Sequence, residues 1–392
     1  MKTYDFIVVG ARAAGSSLAA LLARNAARVA VIDRATFPSD TLSTHTVFPN
    51  GVARLDELGV LDRLLDRHDL AFMEHRSWVL GRQVAGRYPA VHGHDGAIAP
   101  RRVVLDAALA DAARDAGAEM RLGIGVSKLI GSGTADDPVS GVVLENGERL
   151  HARRVVGADG RASTVARLLG LTKERPMSGE CSLSFAYWRG LPSDWYVTLA
   201  ASEDAMFTRI ECEDGIHMLL AGGDSDHTHG SRRERERKYY EVLSRFPELL
   251  DMRDLERATI VSEMRYAPES LMRGYFRQPS GPGWALLGDA AHFKHPASAQ
   301  GIADALAHAF HLAAALTGPD PELRRYRTWL DDRAAGHYEW SFKLGSFPRE
   351  ATAGPVFDRL ERDPAAARDY LGTFTRHVNP GDLAARPAEL AA

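Results

Sequence analysis

The sequence predicts an α/β protein in which a parallel sheet carrying helices is joined to a second, antiparallel sheet. Three observations support this. A strand, a tight turn, a helix and a second strand occupy Asp5–Asp33, which is a βαβ unit with parallel strands. Four strand-like runs separated by polar turns follow one another from Ser182 to Gly222. A buried strand returns at Ala285–Gly288, ahead of a helix at Ile302–Leu316.

Each element has a local cause. Asp5–Val9 (DFIVV) is apolar, rich in β-branched residues and stops at Gly10. Ala13–Ala27 is rich in Ala and Leu, with Leu18, Leu21 and Leu22 on one helical face, and Val29–Asp33 (VAVID) is the second strand. Gly51–Leu65 places Val52, Leu55, Leu58 and Leu61 at helical spacing, and Arg102–Gly117 does the same with Leu105, Leu109 and Ala112. Asn146-Gly147 between Val142–Leu144 and Arg149–Val156 is a hairpin signal. With Met120–Ile130 it predicts a three-stranded antiparallel meander appended to the parallel sheet. Arg232–Leu249 reads as a charged helix whose RRERERK opening is a solvated face. The tail from Glu322 reads as helical, with its last eleven residues (DLAARPAELAA) frayed.

Composition narrows the function classes. A chain of 392 residues suggests two or three domains. With 45% hydrophobic and 26% charged residues it is an ordinary globular protein. The balance of 48 Lys plus Arg against 52 Asp plus Glu argues against a nucleic-acid protein. Cys181 and Cys212 are too few for a disulfide framework or a four-cysteine zinc site, so a reducing cytoplasm is expected. The apolar stretch Phe6–Ile32 is broken by Arg12, Arg24, Asn25 and Arg28. Ile302–Leu316 is too short to span a bilayer and carries Asp304, His308 and His311, so no membrane span is expected.

Three motifs carry chemistry. Gly10-Ala11-Arg12-Ala13-Ala14-Gly15 opens a helix directly after a strand, with Asp33 at the end of the next strand. Gly10 permits the turn, Gly15 lets helix and strand approach, and the helix N-terminus offers free N–H groups to a pyrophosphate, while Asp33 can accept from a ribose. Arg12 replaces the middle glycine of the usual fingerprint and can itself pair with the pyrophosphate. A second strand ends on Asp159-Gly160, with Ser163 able to start the next helix, and a third ends on Gly288-Asp289, followed by Pro296 and Gly301. Three such strand ends fit one extended ligand.

This combination resembles the FAD-binding domain of the class A flavoprotein monooxygenases, the p-hydroxybenzoate hydroxylase-like family. Related geranylgeranyl reductases and flavin halogenases share much of the pattern. The resemblance runs from about Tyr4 to Leu316. It implies a Rossmann-like, GR2-type FAD-binding domain interleaved with an antiparallel substrate domain, followed by C-terminal helices. The expected segments are 1–75, 98–175 and 276–320 for FAD, 76–97 and 176–275 for substrate, and 321–392 for the helical region. By analogy Gly10, Gly15 and Asp33 bind the ADP half, with Arg12, Ala14 and Arg34 in the same site. Arg102, in an R-x-x-L pattern, matches a pyrophosphate-contacting arginine, and Val126 a backbone contact to adenine. Asp159-Gly160 matches a motif touching both FAD and NAD(P)H. Asp289 of Gly288-Asp289 matches the aspartate that binds the ribityl hydroxyls. The loop through Pro296 would pass the isoalloxazine, with the Gly301 and Ile302 amides near the N1–C2 carbonyl, where a helix N-terminus favours an anionic reduced flavin.

The pattern departs from the family at Arg12, at Ala166, where an arginine is expected, and at Ser298, where many hydroxylases have glycine, so substrate knowledge does not transfer. His45, beside Ser43 and Thr44, is a candidate for cofactor or substrate contact or for a loop hydrogen bond. Lys294 and His295 can polarise or deprotonate a substrate or simply pack the loop. His308 and His311 lack a supporting carboxylate or thiolate cluster, so no metal site is expected. On the second sheet either Phe185/Tyr187 or Ala186/Trp188 should face the flavin.

The leading expectation is a monooxygenase that takes electrons from NAD(P)H, uses O2 and hydroxylates a small aromatic or polycyclic substrate. The alternative is an FAD-dependent reductase of a lipid or polyene, although no cysteine precedes Cys181 to form the loop typical of geranylgeranyl reductases. A halogenase would carry a G-W-x-W-x-I-P segment, which is absent. A non-enzymatic flavin protein fits poorly with intact Asp33, Asp159 and Asp289. With one dinucleotide fingerprint, NAD(P)H visits transiently or a partner flavin reductase delivers the electrons. The oligomeric state is not legible.

Overall fold

In the computed structural model, residues 3–317 and 323–385 are described. The chain runs β1 (Thr3–Val9), α1 (Ala13–Arg24), β2 (Val29–Asp33), α2 (Pro49–Glu57), α3 (Leu61–Leu65), β3 (Glu74–Val79), β4 (Arg82–Gly86) and α4 (Arg102–Asp115). It continues through β5 (Glu119–Leu122), β6 (Val126–Ile130), β7 (Gly141–Leu144), β8 (Arg149–Gly157) and α5 (Thr164–Leu168). Next come β9 (Glu174–Met177), β10 (Ser182–Arg189), β11 (Tyr196–Ala201), β12 (Met206–Glu211), β13 (Ile216–Gly223), α6 (Arg232–Leu243) and α7 (Met252–Arg257). The short strands β14 (Thr259–Ile260), β15 (Arg265–Ala267), β16 (Gly274–Phe276), β17 (Ser280–Gly281), β18 (Trp284–Leu286) and β19 (His292–Phe293) follow. The helices α8 (Gly301–Thr317), α9 (Leu323–Leu344), α10 (Glu350–Arg362), α11 (Pro364–Phe374) and α12 (Pro380–Ala385) complete the order.

The first sheet has the order β17-β18-β8-β1-β2-β5. β1 lies in parallel register with β2 (Val8 opposite Val31) and with β8 (Val8 opposite Val156). Ile7, Val8, Val31 and Val155 are fully buried, as strands covered on both faces require. α1 is buried almost all round because it packs against both α8 and α4. β8 is long enough to serve two partners on one side: its first residues pair antiparallel with β7, and its last pair parallel with β18.

Three local expectations are corrected. Gly51–Leu65 is two helices, because Gly59 takes φ +62° between them. Met120–Ile130 is not one strand of a meander: β5 pairs parallel with β2, and after Gly123 the chain restarts as β6, so the meander is β6-β7-β8. The charged helix stops at Leu243 rather than Leu249. Its exposed face is laced by Arg232–Glu236 and Arg237–Glu241, while Tyr239, Val242 and Leu243 are buried. The start of the expected helical tail at Glu322 and its expected frayed end beyond Ala385 lie outside the described residues, and Asp382–Ala385 belong to α12.

The second sheet is separate, in the order β14-β10-β13-β12-β11-β3-β4, and is antiparallel except where β11 runs parallel to β3. One face packs Ala186, Trp188, Phe207 and Leu219 against α6, where the Tyr239 hydroxyl accepts from the Trp188 indole (3.0 Å) and donates to the Leu219 carbonyl (3.1 Å). The other face packs Phe185, Tyr187, Met218 and Leu220 with Phe48 and Tyr88 and with Tyr370 and Phe374 of α11. A small third sheet, β19-β16-β9, which no sequence pattern announced, lies against α9 through Phe276, Tyr338 and Phe342.

Candidate functional site

The C-terminal ends of β1, β2, β8 and β18 share one edge of the first sheet, where open α/β sheets bind ligands. There a cavity of about 1050 Å³ collects Gly10, Arg12, Ala14, Asp33, Arg34, Arg102, Val126, Asp159, Gly160, Gly288, Asp289, Pro296, Gly301 and Ile302. Lys294 and His295 also line it, whereas Gly15 and His45 do not.

The turn after β1 needs its glycines. Gly10 sits at φ +105°, and a Cβ on it would fall 2.5 Å from the Ala158 carbonyl oxygen. A Cβ on Gly15 would fall 1.8 Å from the Gly10 carbonyl oxygen, so Gly15 acts from behind the cavity by letting α1 approach the strand. The first amides of α1 have no partner within the helix and face this edge. Asp33 accepts from the Ala11 amide (2.7 Å) and the Ala35 amide (2.8 Å), which ties the two strand ends together. Arg34 is held by Glu145 (2.6 Å), whose other oxygen accepts the Gly125 amide just before Val126.

Arg12 and Arg102 share a single acid. Arg12 pairs with one oxygen of the fully buried Asp106 (2.6 Å) and Arg102 with the other (2.8 Å). Arg12 is further tethered by the Ser39 hydroxyl (3.1 Å). Two guanidinium groups against one carboxylate leave net positive charge on the wall, which suits a pyrophosphate.

The other two strand-end acids differ. Asp159 accepts from the Ser163 hydroxyl (2.6 Å) and from the Thr164 (2.7 Å) and Val165 (3.2 Å) amides, so it caps α5, and burial still raises its carboxyl. Asp289 receives no protein hydrogen bond on its carboxylate among the described residues, and desolvation pushes it up to about 6 against the pull of Arg161 and Arg102. The Gly288 amide donates to His308 Nδ1 (3.1 Å), and His311 stacks on Trp329 (3.6 Å), so both histidines are used in packing. Among the described residues no group of His, Cys, Asp and Glu could hold a metal ion.

The candidates for proton transfer are restrained. Lys294 is buried, donates to Gln300 Oε1 (2.8 Å) and pairs with Asp304, and burial followed by Arg376 lowers it to about 7. Asp304 is bridged from its other side by Arg376 (2.6 Å). His295 faces inward: its Nδ1 accepts the Ala297 amide (3.2 Å), its ring lies edge-on to Phe342, and burial lowers it to about 4. His45 is fully buried behind the wall, at φ +59°, with Nε2 2.6 Å from the Tyr187 hydroxyl. Burial and the neighbouring Arg102 and Arg101 lower it to about 3.

Phe185 and Tyr187 lie on the sheet face toward His45, but neither lines the cavity, because aromatic and aliphatic packing from the C-terminal helices fills that side. Three cations escaped the sequence reading. Arg161, Lys173 and Arg273 line the cavity without a carboxylate partner among the described residues. Arg161 directly follows Asp159-Gly160 and could have been noticed, whereas Lys173 and Arg273 stand in no pattern.

Residues 3–319 match a family model described as an FAD binding domain. The chain is 28% identical over 375 residues to the menaquinone reductase of Mycobacterium tuberculosis, covering 90% of this chain and 86% of that one. It is 26% identical over 333 residues to Monooxygenase 1 of Arabidopsis thaliana, covering 82% and 81%. Its fold is similar to the crystal structure of a flavoprotein/dehydrogenase from Cytophaga hutchinsonii, with a TM-score of 0.80, 18% identity and 98% of both chains covered.

Proposed function

The chain belongs to the FAD-binding-domain family and is an FAD-dependent oxidoreductase, and from that premise we propose that it is a monooxygenase that uses NAD(P)H and O2 to hydroxylate a small aromatic or polycyclic substrate. In this reading the α1 amides, Arg12 and Arg102 hold the pyrophosphate, and Asp33, Arg34 and Val126 border the adenosine. Asp289 receives the ribityl hydroxyls. That role fits its carboxylate, which faces the cavity without a protein donor. When bound, FAD supplies acceptance of two electrons from NAD(P)H and their delivery to O2.

The remaining work falls to the chain's own residues. The turn before α8, with Ala299 at φ +52°, aims the first amides of a 17-residue helix at the cavity, a fixed positive potential that favours negative charge there. Lys294, held by Asp304 and Gln300, can keep a cation beside a substrate phenol and so favour the phenolate, the better nucleophile. Arg161, Lys173 and Arg273 give the anionic nicotinamide donor a cationic approach.

The observation that carries the choice of a small substrate is the dense packing between the second sheet and the C-terminal helices. Phe48, Tyr88, Tyr370 and Phe374 occupy the apolar gap between the second sheet and the C-terminal helices, where a long lipid chain would need room. A second reading, reduction of a lipid or polyene, is favoured by the end-to-end similarity to menaquinone reductase. A panel of phenolic and polycyclic compounds with NAD(P)H under labelled O2, read by mass spectrometry, separates the two. Incorporation of one labelled oxygen atom is expected. Conversion that proceeds without O2, the product changed by two hydrogens, establishes the second reading instead.

A further inference from the structure

Beside the main cavity, α8 presents a neighbouring flank to a smaller one. Asp304 and His308 face the first, whereas Ala307 and His311 face a cavity of about 200 Å³. Its remaining walls come from α2 (Asn50, Arg54), the turn at His92, Arg333 of α9, and Arg376 with His377 beyond α11.

The charges here do not balance internally. Arg54 pairs with Glu57 (2.6 Å), and Arg376 pairs with Asp304 (2.6 Å), a carboxylate already shared with Lys294. Arg333 has no carboxylate partner among the described residues, and the Nε atoms of Arg333 and Arg376 are buried without a hydrogen bond. Arg376 holds a left-handed backbone, φ +67°, a conformation non-glycine residues adopt at a cost. Arg333 is desolvated and lacks a carboxylate among the described residues, while the carboxylates of Arg54 and Arg376 are exposed or already shared. Three guanidinium groups thus meet here with positive charge left over that an anion would offset. Their planar forks suit a tetrahedral oxyanion, and the buried, unpartnered Oδ1 of Asn50 offers an acceptor to a protonated phosphate oxygen.

We propose that this second cavity is an oxyanion site that takes a phosphate group, either free or carried on a small molecule, between Arg54, Arg333 and Arg376. Such an ion would tie α2, α8, α9 and the segment after α11 together, whichever reaction the main cavity performs.

The test is calorimetric titration of the FAD-loaded protein with inorganic phosphate and with glycerol 3-phosphate at constant ionic strength. Loading with FAD keeps the pyrophosphate region from competing for the probe. Saturable binding of one ion per chain is expected, accompanied by a rise in melting temperature. Tighter binding of glycerol 3-phosphate marks a carried phosphate, and tighter binding of inorganic phosphate marks the free ion. Arg333→Gln should weaken binding at least tenfold. If that variant does not fold, Arg54→Gln should weaken it about threefold. No saturable binding of either probe to the wild-type protein, or affinity unchanged in whichever variant folds, overturns the proposal.

Discussion

The ends of β8 and β18 look alike in sequence, each an apolar strand closing on glycine and aspartate, yet the folded protein uses the two acids in opposite ways. Asp159 is consumed by its own chain: Ser163 lies four residues on, and the amides of Thr164 and Val165 turn back to the carboxylate. Asp289 lies inside a short 3-10 turn, Gly288–Ala290, and is followed by Ala290 and Ala291, so no local donor reaches its carboxylate. Here a strand-end aspartate stays open to the cavity where the next few residues cannot cap a helix on it, and is taken up where they can.

A third acid on the same cavity sets the upper bound for the comparison. Asp304→Ala would leave Lys294 and Arg376 buried without their carboxylate. A loss of about 3–5 kcal/mol is expected in denaturant unfolding. A variant as stable as wild type would show that this ion cluster is solvated and comparable to an exposed pair.

Asp289→Ala should act on the ligand rather than on the fold. Fluorescence titration with FAD should show affinity weakened by about 1–3 kcal/mol, the cost of a hydrogen bond to a charged group, while the FAD-free protein stays folded. Wild-type affinity would place the ribityl chain elsewhere.

The same residue gives a pH signature. Its folded carboxyl is raised to about 6 by desolvation, above its ordinary value. Between about pH 4 and pH 6 the folded FAD-free protein therefore binds more protons than the unfolded chain, so stability falls as pH rises through that window. The loss should amount to roughly 1–3 kcal/mol, because each tenfold difference in proton affinity between the folded and unfolded chains is worth about 1.4 kcal/mol. Asp289→Asn should remove that slope, and melting curves across the window would check it. The slope surviving in the variant would assign it to another group.

The smallest effect belongs to Asp159. Asp159→Ala removes an internal cap and should cost about 0.5–2 kcal/mol in thermal unfolding. Ser163→Ala should shift stability in the same direction, because the Ser163 hydroxyl both donates to Asp159 and accepts from the Ala166 amide. A change in FAD affinity with unaltered stability would reverse the contrast drawn between the two strand ends.

Much of this molecule is legible from sequence alone because the signals are local. The alternation of strand, glycine turn and Ala/Leu helix over Thr3–Asp33, the four runs of the second sheet and the helix from Gly301 appear with nearly the residues expected. The glycine turn is legible because a Cβ at position 10 or 15 would collide with backbone, which residue type alone foretells. Other features depend on partners far away in the chain. The parallel pairing of β5 with β2, the small sheet joining β9, β16 and β19, and the burial of His45 against Tyr187 each follow from contacts that no periodicity encodes. The same holds for charge. Asp106 between Arg12 and Arg102, and Asp304 between Lys294 and Arg376, acquire their roles only when separate segments meet out of water, where an unpaired charge is costly and its partner fixes its position. The residue types were set by the sequence, but which of them face a ligand and which face each other was decided by tertiary packing, because hydrogen bonding and desolvation act through space rather than along the chain.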